Sequence, residues 1–356
     1  MIESSNSHIE HLIVHRMGAK AEGGCLRIAK RETNIGNYSE ENTVADVLRL
    51  FFFKSFKTEA YYTVQKDSDE GSNNVVRDIC TAIFNGTEQF YDASVKLASW
   101  LFEQSNHPRI RGGEIYIAHF SDVVVDGLQC DAIGIFKSES KETFLKVQFG
   151  QDSEVQLGTQ EGISIRRIDK GCIIFNIEQE DGYRISAVDN INKGCEAHFW
   201  FDDFLGLKPR EDNYFFTDNY LQMCRSFVKD VYNEDNHVAR ADQMDMMNKT
   251  VNFFENTPKF SHDDFLQSVM AEPDVINAFN DYKQQYETEH DIPQSLPEVF
   301  EVSKDAVKGE KRNFKSILKL DKNFHVYVHG SRYYMEKGYD ESKDMNFYKL
   351  FFKNEL

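Results

Sequence analysis

Pro108-Arg-Ile-Arg-Gly-Gly-Glu-Ile-Tyr-Ile-Ala-His-Phe120, Asp131-Ala-Ile-Gly-Ile-Phe-Lys137 and Thr143-Phe-Leu-Lys-Val-Gln-Phe149 are short runs rich in β-branched and aromatic residues. Gly, Asp or Ser bounds each of them, which is the pattern of strands joined by tight connections. Further strands are expected at Ile163–Ile168, Gly171–Ile177 and Tyr183–Val188, the last two joined by the hairpin loop Glu178-Gln-Glu-Asp-Gly182. Hairpins with little helix between them favour antiparallel pairing over βαβ crossovers.

Before this stretch, Ile9–Val14 and Cys25–Ala29 read as a strand pair around Gly23-Gly24. A capping-box-like start at Asn42–Asp46 precedes a helix whose apolar face carries Val44, Val47, Leu48, Phe51 and Phe52. Lys66–Asn74 is polar and reads as an exposed loop. Phe84, Tyr91, Val95, Ala98 and Phe102 then suit one helix, which Pro108 brings to an end.

Behind the strands, Asp152–Glu161 is polar, and Cys195–Leu205, with Trp200, is apolar enough to pack back on the sheet. Leu221, Cys224, Val228 and Val231 mark a helix from Thr217. A first domain is placed at residues 1–235, an α+β fold with a mainly antiparallel sheet and flanking helices. Residues 236–356 form the second part, a helical segment and a small basic β-rich piece. Its helices are marked by Met244, Met247, Val251 and Phe254, by a capping box at Ser261–Asp264, and by Val275, Phe279, Tyr282 and Tyr286 after Pro273.

The chain has 356 residues and a net charge of −18, with 40% hydrophobic residues, so it can build a real core. No apolar run approaches the ~20 residues that cross a bilayer, and Met1-Ile-Glu-Ser-Ser-Asn lacks a secretory signal, so a cytoplasmic protein is expected. The six cysteines form no C-x-x-C pair and read as reduced, buried thiols.

Charge is unevenly spread. Residues 308–353 carry eleven Lys/Arg against six Asp/Glu, which leaves −23 on the rest of the chain. Lys308, Lys311, Arg312, Lys315, Lys319, Lys322 and Arg332 in this tail are the leading candidates for phosphate contacts, with interleaved aromatics available for stacking. The plainer reading is a small β-subdomain kept soluble by lysines. Phe324–His329 alternates as a half-buried strand, with Phe324, Val326 and Val328 on the inner side. A second basic set comprises Arg109, Arg111, Lys137, Lys141, Lys146, Arg166 and Arg167. Arg109 and Arg111 join the DNA-contact candidates because Gly112-Gly113 lets a backbone approach closely; ordinary charges at strand ends are the alternative.

Asp131 with Glu139-Ser-Lys141 superficially matches the two acids and lysine of metal-dependent nucleases. Glu139, however, falls in a polar turn. Glu114, His119 and Asp122 are the other polar groups near these strands, and His119 reads first as a satisfied sheet histidine. Phosphate-loop, dinucleotide, zinc-protease and serine-hydrolase motifs are all missing from the sequence. No cofactor or metal-ligand signature is present, and the chain reads as a non-enzyme.

Gly112-Gly113-Glu114-Ile-Tyr-Ile-Ala-His-Phe-Ser-Asp122, Asp131-Ala-Ile-Gly-Ile-Phe-Lys-Ser-Glu139 and Phe144-Leu-Lys-Val147 together resemble the bacterial nucleoid-associated (NdpA-type) family. Lys170-Gly-Cys-Ile-Ile-Phe-Asn176, Gly182-Tyr-Arg-Ile185 and Asn192-Lys193…Glu196-Ala197…Phe199-Trp200 extend the resemblance over residues 80–230. It implies a cytoplasmic, nucleoid-localised bacterial protein whose partner is DNA, reached directly or through another protein. It transfers no catalytic residue. The leading expectation is a DNA-binding protein without sequence specificity, in a chain that can form homo-oligomers. The alternatives are a module that docks on a DNA-handling enzyme through the acidic, Met- and Phe-rich helices of 237–290, and the nuclease.

Overall fold

The computed structural model describes residues 1–35, 44–57, 60–64, 74–149, 154–192, 198–290, 292, 295–314, 317–327 and 332–354. By packing, the chain forms two units, Met1–Arg210 and Glu211–Leu356.

The first unit is built on a nine-stranded sheet. Its strands are β1 (Ile2–Glu3), β2 (His8–Met17), β3 (Leu26–Arg27), β4 (Tyr62–Thr63), β5 (Gly113–Val125), β6 (Leu128–Ser138), β9 (Lys170–Phe175), β10 (Arg184–Asp189) and β11 (Lys208–Pro209). The order is β11-β4-β10-β9-β6-β5-β2-β3, with β1 added alongside β5, and every pairing is antiparallel. The architecture is α+β.

Both faces of the sheet are covered, which is why β6 and β9 are apolar at nearly every position rather than at alternate ones. Ile115, Ile117, Ile133, Ile135, Cys172 and Ile174 face one layer, made by α2 (Val75–Phe84), α3 (Phe90–Gln104) and the π-helical turn Phe199–Phe204. Tyr116, Ala118, Phe120, Phe136, Ile173 and Phe175 face the other, where α1 (Val44–Phe53) inserts Phe51, Phe52 and Phe53. The Phe52 ring stacks on Phe136 with centroids 4.2 Å apart. Gly134 makes room for these rings, since a Cβ there would lie 2.3 Å from Phe136.

Several expectations are corrected. The pattern read as one helix through Phe84 and Phe102 is two, because Asn85 caps α2 and Gly86 turns the chain with φ +65°. Ile163–Ile168 is not a strand: the apolar side chain of Ile168 is buried from an irregular connection. Thr143–Phe149 is a strand, β7 (Glu142–Phe149), but among the described residues it pairs only with β8 (Val155–Gly162), inside the segment read as merely polar. Gln, Thr and Gly in β8 hid its alternation. The start of the capping box, Asn42 and Thr43, and most of the Lys66–Asn74 loop lie outside the described residues.

In the second unit, α4 (Asn213–Asp230), α5 (Arg240–Asn256), the short α6 (His262–Phe265) and α7 (Pro273–Glu289) enclose an aromatic core. That core includes Phe227, Phe254, Phe260, Phe265, Phe279 and Phe300. Asp212 caps α4 and Ser261 caps α6, as the sequence pattern at Ser261 anticipates. The sequence reading grouped α4 with the first part; its apolar face is buried in this second core. Strands β12 (Lys259–Ser261) and β13 (Val299–Glu301) pair across it, and α8 (Lys304–Lys311) follows. Two hairpins complete the chain, β14 (Ile317–Leu320) with β15 (Phe324–Tyr327), and β16 (Met335–Asp340) with β17 (Met345–Leu350). Phe324 is 64% exposed, so it does not form the inner side of a half-buried strand. Val328 and His329 lie outside the described residues.

Phe52→Ala removes a fully buried ring from the α1–sheet layer and is expected to cost about 3–5 kcal/mol. Chemical denaturation of the purified protein measures this; a loss under 1 kcal/mol, on the order of a surface substitution, would contradict the packing described.

Candidate nucleic-acid interface and a buried charge row

Helix α8 carries the first basic cluster. Ser303 caps its start by accepting from the Ala306 N–H, and Ala306 and Val307 are buried beneath it. Lys308 and Lys311 occupy the last turn, where exposed carbonyls favour cations, and Arg312 follows as the cap residue. Spacings of three and four residues put these cations on one side of the helix, and all three are exposed. Lys311 is ion-paired with Glu255 of α5, and Glu310 lies 3.5 Å from Arg225 of α4. These contacts dock the helix while Lys308 and Arg312 remain at the surface.

The rest of the tail candidates are spread more widely. Lys319 lies on β14 opposite His325, Lys322 is exposed in the turn to β15, and Arg332 opens a turn at Arg332–Tyr334 that lies along α5. Helix α8 also packs on α5, so that helix carries both the basic cluster and the Arg332 turn. Tyr327, Tyr333, Tyr334 and Tyr339 are more than half exposed on these hairpins and turns. Lys315 lies outside the described residues.

Arg109 and Arg111 are exposed in the connection from α3 to β5. The glycines beside them serve the fold. A Cβ on Gly113 would lie 2.0 Å from the Ser138 carbonyl oxygen, and one on Gly112 would lie 2.8 Å from that of Met17. Their own sheet, not a ligand, requires the close approach.

Lys137 departs most from the sequence reading, which placed it in the second basic set, a nucleic-acid contact or else an ordinary charge at a strand end. Lys137, Lys170 and Asp189 stand opposite one another across β6, β9 and β10, and all three side chains are fully or almost fully buried. Two lysines directly opposed repel, and carboxylates resolve the conflict. Glu139, whose side chain is 2% exposed, lies 2.8 Å from Lys137 Nζ and 3.5 Å from Lys170 Nζ. Asp189 Oδ2 lies 3.0 Å from Lys170 Nζ. Lys137 also donates to the Arg111 carbonyl at 2.7 Å. Burial holds the Lys137 ammonium below the usual lysine value, with Glu139 opposing that shift. Next to the row, Asp169 accepts from the backbone N–H groups of Glu139 and Ser140 at 2.6 and 2.8 Å. A lysine ending an apolar run gave no sign of this; the one available signal was that each lysine adjoins five residues with no polar side chain, 132–136 in β6 and 171–175 in β9.

The nuclease grouping is not assembled. Asp131 is exposed near the start of β6, 3.8 Å from His119, whereas Glu139 is buried just beyond its end. Eight residues of strand separate them by about 26 Å. Lys141 lies 3.6 Å from Glu114, not at Glu139. Asp122 sits in a bulge between Phe120 and Val123 with φ +56°, bonded to Gln129. His119 stacks with Phe90 and His11, and burial lowers its pKa. A cavity of about 570 Å³ beside Glu139 is lined by Arg16, Arg27 and Lys141 against Glu22, Glu114 and Glu139, so it favours neither sign of ligand. In 237–290, Met244, Met246, Phe254 and Phe265 are core residues rather than a docking face.

Glu139→Gln is expected to cost about 3–5 kcal/mol, because it leaves two buried lysines short of an anionic partner. The deficit should shrink as pH rises toward 10.5, the ordinary value for Lys137. The native state sheds that proton before the unfolded chain does, so alkaline pH favours folding over that window. Denaturation midpoints across pH read both effects, and a pH-independent loss would show that the lysines are not involved.

The family model described as nucleoid-associated protein YejK matches residues 13–346. No curated protein matches the chain. The family match begins within β2 and ends within β17, and thus spans the sheet of the first unit and the helices and hairpins of the second: the chain belongs to the nucleoid-associated protein YejK family.

Proposed function

We propose that the chain is a non-enzymatic protein of the bacterial nucleoid that holds DNA directly, through phosphates and without reading base sequence. The observation that carries this reading is the exposed Lys308, Lys311 and Arg312 cluster on α8, in a segment of +5 within a chain of −18. Cations on one side of a docked helix provide point charges for phosphates. Lys322 and the exposed tyrosines of the following hairpins add further charge and stacking surface. Lys319, Arg332 and Lys315 extend the same segment, and Arg109 and Arg111 form a secondary contact on the first unit. The strong negative charge elsewhere keeps the protein from coating DNA on all sides and limits contact to these basic positions.

Fluorescence anisotropy with a labelled duplex over a salt series tests this. The logarithm of affinity should fall linearly with the logarithm of salt, with a slope of about −0.9 per phosphate neutralised. Replacing Lys308, Lys311 and Arg312 together by Glu should weaken binding at least about tenfold and flatten that slope by up to about 3. Unchanged affinity and slope would remove this face from the interface.

A further inference from the structure

The two C-terminal hairpins sort their residues by register. In β16–β17, Lys337 stands opposite Tyr348 and Tyr339 opposite Asn346, on the same face as Met335 and Leu350. Glu336 with Lys349, Gly338 with Phe347, and Asp340 with Met345 share the other face. That second face is closed on itself. Glu336 lies 3.6 Å from Lys349 Nζ, and the Phe347 ring lies over Gly338, where a Cβ would be 2.3 Å from it. Both acids of the paired strands are thus on one side, and the other side carries a lysine and two tyrosines. β14–β15 repeats the arrangement. Leu318 is buried on one face, opposite Val326. The other face has Ile317 opposite Tyr327 and the Lys319 position opposite His325, and no acid at any paired position. Tyr327 and Tyr339 are 63% and 54% exposed, and Lys322, His325 and Lys337 are exposed as well. The Tyr339 hydroxyl donates to Asp344, which holds the ring at the turn end of its face.

We propose that these two faces hold unpaired bases, so that the chain binds single-stranded DNA more tightly than duplex. The proposal rests on the reading of the basic segment as the DNA contact, and it names the form of DNA that segment takes. Charge selects a nucleic acid. In a chain of −18, each face sets its aromatics beside lysine positions and keeps carboxylates off its paired positions.

Ring spacing selects the single strand. His325 and Tyr327 are two residues apart on one strand, about 7 Å. Tyr339 and Tyr348 are diagonal neighbours across β16–β17, about 7–8 Å apart. Bases in a duplex repeat every ~3.4 Å and bury their faces against one another. Rings at about twice that spacing can each receive a base only from a strand whose bases have separated.

Lys308, Lys311 and Arg312 of α8 supply phosphate contacts common to both forms of DNA. The hairpin faces add stacking, which only the unpaired strand can use. Every base has a π-face, so this added affinity carries no sequence preference.

Fluorescence anisotropy of the full chain at one fixed salt concentration tests this with three labelled probes of equal length: a thymidine strand, a strand of abasic sugar-phosphate units, and a duplex. The thymidine strand should bind at least about tenfold more tightly than the abasic strand, which carries the same phosphates without bases. It should also bind more tightly than the duplex. Tyr327→Ala with Tyr339→Ala should remove most of the preference over the abasic strand and leave affinity for the abasic strand unchanged. Tyr327→Phe with Tyr339→Phe should keep the preference, because stacking needs the ring and not the hydroxyl. Circular dichroism should be the same for all three proteins. A wild type that binds thymidine no better than the abasic strand, or less tightly than the duplex, overturns the proposal and leaves the phosphate reading standing. A preference that survives the alanine pair overturns it too. Binding of the thymidine strand alone would keep the stacking faces and overturn the phosphate reading, and binding of none of the three would overturn both.

Discussion

The opposition of Lys137 and Lys170, resolved by Glu139 and Asp189, is the constraint on which the first unit depends. β6 and β9 are apolar on both sides, so alternation alone fixes their register weakly. A slip by one residue would carry a lysine into the opposite, aromatic layer beside Phe136 and Phe56, where nothing could receive its charge. The buried row thus penalises misregister at the centre of the sheet. Its cost in desolvation is offset by the Lys137–Glu139, Lys170–Glu139 and Lys170–Asp189 pairs, which on balance add little stability. Asp169, next to the row, carries the same order outward to the root of the β7–β8 ribbon.

The second unit is organised differently. Its core is a cluster of stacked and edge-on phenylalanines on α4 to α7, and α8 is attached by two small buried residues and by ion pairs to α4 and α5. Attaching a helix mainly through charge leaves its cationic end free of apolar cover. That is the condition a phosphate-binding surface needs, and the family to which the chain belongs gives that surface a setting.

The strands around Ile115, Ile133 and Ile174 were legible because β-branched residues in short, well-bounded runs have few alternatives. So were α1, α4 and α7, whose apolar stripes repeat at helical spacing. Failures arose where one composition serves two structures. Phe84 and Tyr91 fit one helix as well as two until Gly86 is seen to turn. β8 carries so many Gln, Thr and Gly residues that its apolar face emerges only when Val155 and Leu157 are set against Phe149 and Val147. Lys137 and Lys170 look like soluble strand ends, since burial of a lysine depends on acids distant in sequence such as Asp189. The basic tail was visible as composition, but grouping Lys308 with Lys311 and Arg312 needed the extent of α8.

Hydrogen–deuterium exchange of the full chain, with and without a short DNA duplex at low salt, tests the central claim most directly. Protection on DNA binding should concentrate in residues 304–314 and 317–327, with the strands of the first unit unchanged. Protection confined to the Arg109–Gly112 connection, or none at any segment while DNA is bound, would contradict the assignment of DNA contact to the basic segment.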